Sequence, residues 1–159
     1  MSECSMPLPD LLAPEAVIPA LRVNGKKQAL QELAERAAGV SGLPAREIFD
    51  AILQRERLGS TGVGDGIAIP HGKLLKCPHI FGVFARLERA IDFEALDGLP
   101  VDLIFLLVAP EAAGADHLKA LAMIARVLRN SALAAQLRAT RDASGLYSVL
   151  TQTPASHAA

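Results

Sequence analysis

The run Leu103-Ile104-Phe105-Leu106-Leu107-Val108-Ala109-Pro110 limits what this chain can fold into more than any other segment. It is far shorter than the roughly 20 residues a helix needs to cross a bilayer, and too uniformly apolar to lie on a surface. It predicts a strand over residues 101–108, central in a sheet and buried on both faces.

A strand covered on both sides needs helices, and the periodicity supplies them. Leu30, Leu33 and Ala37 recur at helical spacing over residues 26–38, with Asn24 and Gly25 as start signals. Pro44 suits the first turn of a second helix, Ile48, Phe49, Ile52 and Leu53 form its apolar stripe, and Gly59 stops it. After Pro110, the residues Leu118, Leu121, Ile124, Ala125 and Leu128 mark one face of a helix that Asp116 is placed to cap. Two shorter helices fit residues 132–140 and 143–150. Between these blocks, Ile67-Ala68-Ile69 reads as a short buried strand that Pro70 ends, and residues 80–87 as another. Gly62, Gly64 and Gly66 recur at every second position, so residues 59–66 form an ordered loop or bulged strand and not a helix. The connections are too short for every strand pair to be parallel. The expectation is a single α/β domain with a mixed parallel and antiparallel sheet flanked by helices on both faces. Its bounds are 16–152, between flexible ends at 1–15 and 153–159.

Composition removes several function classes. Lys and Arg total 16 against 17 Asp and Glu, and they are spread without a basic stripe; aromatic residues are only 4%. That disfavours nucleic acid, which calls for clustered cations and stacking platforms. Cys4 and Cys77 are the only cysteines, too few for a disulfide framework or a metal quartet, and they suit a reducing cytoplasm. Residues 1–21 show no basic segment ahead of an apolar core, so no signal peptide and no membrane insertion are expected. There is no G-x-x-x-x-G-K-[ST] loop, no dinucleotide fingerprint, no H-E-x-x-H, and Ser60 lies in no G-x-S-x-G elbow. No cofactor or metal is expected.

Three polar residues stand out from their surroundings. His71 follows a buried strand, with Pro70 fixing the backbone before it and Gly72 leaving space after it. Taken alone, it is either a fixed, accessible imidazole or a histidine that merely ends a strand. His117 shares a helical phase with Leu121, Ile124 and Leu128 and points inward, as a hydrogen-bonded core residue or a reactive one. Arg55 points inward by its spacing from Ile48 and Ile52. A buried guanidinium needs an acceptor, which is a carboxylate such as Glu56 or Asp50, a carbonyl, or an anion that arrives with the function. His79 and His157 read as solvated residues of a loop and of the tail.

The continuous segment Arg55-Glu56-Arg57-Leu58-Gly59-Ser60-Thr61-Gly62-Val63-Gly64-Asp65-Gly66-Ile67-Ala68-Ile69-Pro70-His71-Gly72-Lys73 resembles the active-site signature of the mannitol and fructose class of phosphotransferase-system enzyme IIA domains. Within that class it looks most like the nitrogen-related, regulatory form. The resemblance implies a phosphohistidine carrier with His71 as phosphoacceptor, Arg55 beside it and His117 facing it. Ser60, Thr61 and Lys73 are weaker candidates for phosphate contacts. It also implies a histidine phosphocarrier protein as donor. Phosphorylation would then control binding to regulatory targets in nitrogen metabolism and potassium homeostasis, including potassium transport or sensor proteins. The alternative is a fructose or mannitol type IIA that passes the group to the IIB cysteine of a sugar permease. Asp65 departs from the family pattern, where asparagine is common, and its charge would repel an incoming phosphoryl group if it pointed toward the site.

Overall fold

Val101–Pro110 is the central strand of the sheet, as its composition demands, and all but its second and last residues are buried. The computed structural model describes residues 7–152. In chain order, α1 is Leu8–Leu11, β1 Val17–Leu21, α2 Lys26–Ser41, α3 Ala45–Leu58, β2 Gly62–Gly64, β3 Ile67–Ala68, β4 His71–Leu74, β5 Phe81–Ile91 and β6 Val101–Pro110. Three helices follow: α4 Ala115–Leu128, α5 Ser131–Ala139 and α6 Ala143–Thr151. The six-stranded sheet is mixed. β6 pairs antiparallel with β5 on one side, and on the other it pairs in parallel with two successive short strands, β3 and then β4. β1 lies parallel to β5 at one edge, and β2 folds back on β3 at the other.

Local chemistry explains these elements. Ala29, Leu30, Leu33, Ala34 and Ala37 bury one face of α2, and Gly42 ends it at φ 81, a left-handed conformation that costs glycine little. Side chains cap α5 and α6, where Asn130 accepts from the Leu133 N–H and Asp142 from the Gly145 N–H. Asp65 and Gly66 both take positive φ between β2 and β3, which a two-residue hairpin turn requires and which Asp tolerates. Arg86 is buried in β5. Its guanidinium donates to the carbonyls of Pro19 and Arg138, tying the edge strand and α5 to the sheet.

Three expectations are corrected here. Residues 7–15 are packed: Leu8, Leu11 and Leu12 are buried in the core, so the prolines shorten the local helix without loosening the segment. Residues 1–6, with Cys4, and residues 153–159, with His157, lie outside the described region. In α4 the buried stripe is His117, Ala120, Ile124 and Leu128, whereas Leu118 is 66% exposed. Asp116 does not cap that helix, because Gly114 occupies the cap position. β1 was not foreseen. Its Pro19 sits on an edge strand, where a missing N–H costs no ladder bond.

Gly82 faces the ring of Phe105 across the β5–β6 ladder, and a Cβ there would overlap that ring and sit 3.1 Å from the Leu106 carbonyl. Gly82→Ala should destabilise the domain by about 1–3 kcal/mol through overpacking. Urea denaturation should also show partial recovery in the Gly82→Ala/Phe105→Leu double variant; equal midpoints for wild type and Gly82→Ala would contradict this packing account.

Candidate functional site

Three elements bring one polar side chain each to the same place. The approach of α3 to the sheet is set at Gly72, where an added Cβ would lie 3.1 Å from both Ala51 Cβ and Ile52 Cγ2. Arg55 is one turn beyond Ala51, so this close packing lowers its guanidinium onto His71, the first residue of β4. Register holds His71 opposite Leu107 of β6. At the far end of β6, Gly114 turns the chain at φ 57 and ψ −126 into α4, whose first turn carries His117 inward.

The hydrogen bonds define the proton positions. His71 Nδ1 lies 3.0 Å from the Ile69 carbonyl, which can only accept, so Nδ1 carries the proton. Nε2 is then a lone-pair acceptor, and Arg55 Nε donates to it at 3.2 Å. A second arm of that guanidinium, Nη1, donates to the Gly59 carbonyl at 2.9 Å. Of the acceptors expected for Arg55, the carbonyl is the one present, at Gly59, and the His71 imidazole stands beside it. The His117 ring is 5.3 Å from that of His71, tilted by 55°, and its buried Nε2 has no hydrogen-bond partner.

Burial holds the His71 pKa below its ordinary value, and the positive charges of Arg55 and Lys73 act in the same direction; the Ile69 bond and Glu56 oppose them. Burial, then His71 and Lys73, push His117 down as well. Both rings favour the neutral form, so the site is a half-buried lone pair flanked by a fixed cation and an unsatisfied ring nitrogen.

The weaker candidates are placed differently. Ser60 Oγ donates to the Phe93 carbonyl at 2.8 Å, and Thr61 Oγ1 donates to Glu56 Oε1 at 2.6 Å, so both hydroxyl protons are committed away from His71. Lys73 is exposed, two residues along β4 on the same side of the strand as His71. Asp65 is exposed in the hairpin turn, with its N–H on Asp97 and its carbonyl on Arg138. Glu56 is a residue the sequence reading undervalued. It is buried and takes the Thr61 N–H, the Thr61 hydroxyl and Lys26 Nζ, the last at 3.0 Å. Its spacing from Ile48 and Ile52, eight and four residues back, was the available signal. Among the described residues no group of three or more His, Cys, Asp or Glu is arranged to hold a metal ion, and no helix is long and apolar enough to cross a membrane.

Comparison with known proteins shows the family of the chain. The family described as "Phosphoenolpyruvate-dependent sugar phosphotransferase system, EIIA 2" matches residues 10–153, and the chain belongs to that family, a phosphotransferase component. It is 64% identical to a nitrogen regulatory protein of Bradyrhizobium diazoefficiens, over 96% of this chain and all of the relative. It is 39% identical to the nitrogen regulatory protein of Escherichia coli K12, over 96% of this chain and 94% of that one. A fructose-specific EIIABC component of Bacillus subtilis shares 30% identity over 92% of this chain, which spans 23% of that larger protein. Among solved structures, the nitrogen regulatory protein IIA-Ntr of Neisseria meningitidis superposes with a TM-score of 0.84 at 32% identity, covering 89% of this chain and 97% of the other.

Because both histidines have pKa values below 6.5 in the fold, the unfolded chain binds more protons than the native one just under that pH. Stability should fall as pH drops from 6.5 through the lowered folded values and level off below them for these two groups. Urea midpoints measured across that range should decline in the wild type and decline less in His117→Gln. Identical slopes for the two proteins would contradict the buried, neutral assignment of His117.

Proposed function

We propose that this chain is a histidine phosphoryl carrier that accepts a phosphoryl group on His71 Nε2 from a histidine phosphocarrier protein. The observation that carries the reading is the His71 Nε2 lone pair, held between the Arg55 guanidinium and the unpaired His117 Nε2. Nε2 attacks the phosphorus of the donor's phosphohistidine, the donor N–P bond breaks, and its electron pair returns to the donor ring. Donor and acceptor bonds are alike, so transfer is reversible and catalysis rests on position and charge. As the new N–P bond forms, the His71 ring becomes cationic, and its Nδ1–H strengthens its bond to the Ile69 carbonyl. Arg55 leaves the lone pair it now occupies and moves onto the phosphoryl oxygens, while Nη1 on Gly59 keeps it within reach. His117, protonated on Nε2, donates to the same oxygens.

The likeness to nitrogen regulatory proteins supports a regulatory output in nitrogen metabolism. The cytoplasmic setting and targets in potassium transport or its sensing belong to the same proposal and rest on the resemblance of the signature segment alone. Phosphorylation adds nearly two negative charges to the face around His71, so a partner fitted to the bare histidine loses affinity. The fructose-specific relative supports a second reading, in which the phosphorylated protein passes its group to a IIB-type cysteine.

Incubation with phosphoenolpyruvate, the general phosphotransferase enzyme and the carrier should add one phosphoryl mass to the intact protein. His71→Ala should remain folded and take up none; label elsewhere in that variant would overturn the assignment. Arg55→Lys should label about tenfold more slowly although charge is kept, because an ammonium lacks the two-armed guanidinium geometry. Wild-type speed in Arg55→Lys would reduce the arginine to a structural role.

A further inference from the structure

The signature segment holds a buried carboxylate that touches no reacting group. The Glu56 side chain is 2% exposed, and burial of a carboxylate is costly unless several donors compensate it. Three do: the Thr61 N–H at 2.8 Å, the Thr61 hydroxyl at 2.6 Å and Lys26 Nζ at 3.0 Å. Lys26 in turn lies over the Phe93 ring and reaches Glu94, so the cation is itself held in place. An apolar side chain at this position would fill the space but leave the N–H and hydroxyl of the buried Thr61 without their acceptor. The arrangement therefore has a use beyond filling the core.

The use is visible in what Thr61 does next. Its carbonyl accepts the Ile69 N–H at 3.0 Å, and the Ile69 carbonyl accepts the proton of His71 Nδ1. On the other side of the same turn, the Gly59 carbonyl holds the Nη1 arm of Arg55. Thr61 is thus bonded to the residue whose carbonyl selects the His71 tautomer, and it stands two residues along the chain from the carbonyl that aims the guanidinium. From these contacts we infer that Glu56 is a positioning residue for phosphoryl transfer, acting through Thr61 on both Ile69 and Gly59, with Lys26 as its counter-charge. This rests on the carrier reading above and assigns the device that keeps His71 Nε2 free and Arg55 directed at it.

The proposal separates Glu56 from a residue that merely stabilises the turn, because it requires a change at the His71 ring. In nitrogen-15 spectra of the unphosphorylated protein, the wild type should show His71 with the proton on Nδ1. Glu56→Ala should convert it to a mixture of the two neutral tautomers and slow phosphoryl uptake about tenfold or more. Glu56→Gln, which still accepts from Thr61, should restore most of both signals. Thr61→Val, which removes only the hydroxyl donor, should shift them in the same direction by less, and it serves if Glu56→Ala does not fold. An unchanged His71 ring signal in folded Glu56→Ala, or in Thr61→Val where the alanine variant is unfolded, would overturn the positioning role. A wild type that takes up no phosphoryl group on His71 would instead overturn the carrier reading, since the ring spectra do not depend on phosphorylation.

Discussion

The hydrogen bond between His71 Nδ1 and the Ile69 carbonyl, 3.0 Å long, decides what the site can do. It fixes the proton on one ring nitrogen and leaves the lone pair on the other, directed at Arg55. The bond exists because Ile69 faces away from β6. Both β3 and β4 run parallel to β6, at Ile67↔Leu103 and His71↔Leu107. The carbonyls of Gly66 and Pro70 accept from Leu103 and Leu107 of β6, whereas the Ile69 N–H donates to the Thr61 carbonyl on the other side. The Ile69 carbonyl is therefore not spent on β6 and accepts from the ring two residues later.

Charge is arranged around this geometry with a consistent sign. Arg55 donates to Nε2 itself, and Lys73 is near enough to lower both histidines. The nearest carboxylate in sequence, Glu56, is turned away onto Thr61 and Lys26, and Asp65 is engaged in the hairpin turn at the sheet edge. The neutral rings and the guanidinium thus have no anion among their hydrogen-bond partners to oppose the phosphoryl group of the proposed reaction. Burial keeps the rings neutral, and in the proposed reaction that neutrality leaves His71 Nε2 the lone pair with which to attack.

Much of this was legible before the coordinates. The apolar run at 103–110 demanded a central strand, α2 and α3 followed their periodicity and their proline or glycine boundaries, and α5 and α6 lie within a residue of the expected 132–140 and 143–150. The glycine-spaced segment reads as an ordered loop or bulged strand, and it forms the short β2, with a register shift against β3, and the hairpin turn after it. β1 escaped because Pro19 inside it argues against a strand unless its edge position is known, and edge position is a tertiary fact. In α4, counting from Leu118 put the wrong leucine inside; the true stripe includes the small Ala120, which carries little hydrophobic signal. Arg55, His71 and His117 were singled out by phase and by neighbours. The Ile69 and Gly59 carbonyls that orient them are backbone atoms and leave no mark in a side-chain pattern. Ser60 and Thr61 are weaker candidates for phosphate contacts by the resemblance, and a sequence does not show that their hydroxyl protons are already spent on Phe93 and Glu56.

The most direct test of the account is the site of the nitrogen–phosphorus bond. Protein labelled with nitrogen-15 in its histidines should be phosphorylated by the phosphoenolpyruvate-driven carrier system and examined for phosphorus–nitrogen coupling. The geometry predicts coupling to Nε2 of His71, with Nδ1 still protonated against the Ile69 carbonyl. Coupling at Nδ1 of His71, or at a ring nitrogen of His117, would contradict it.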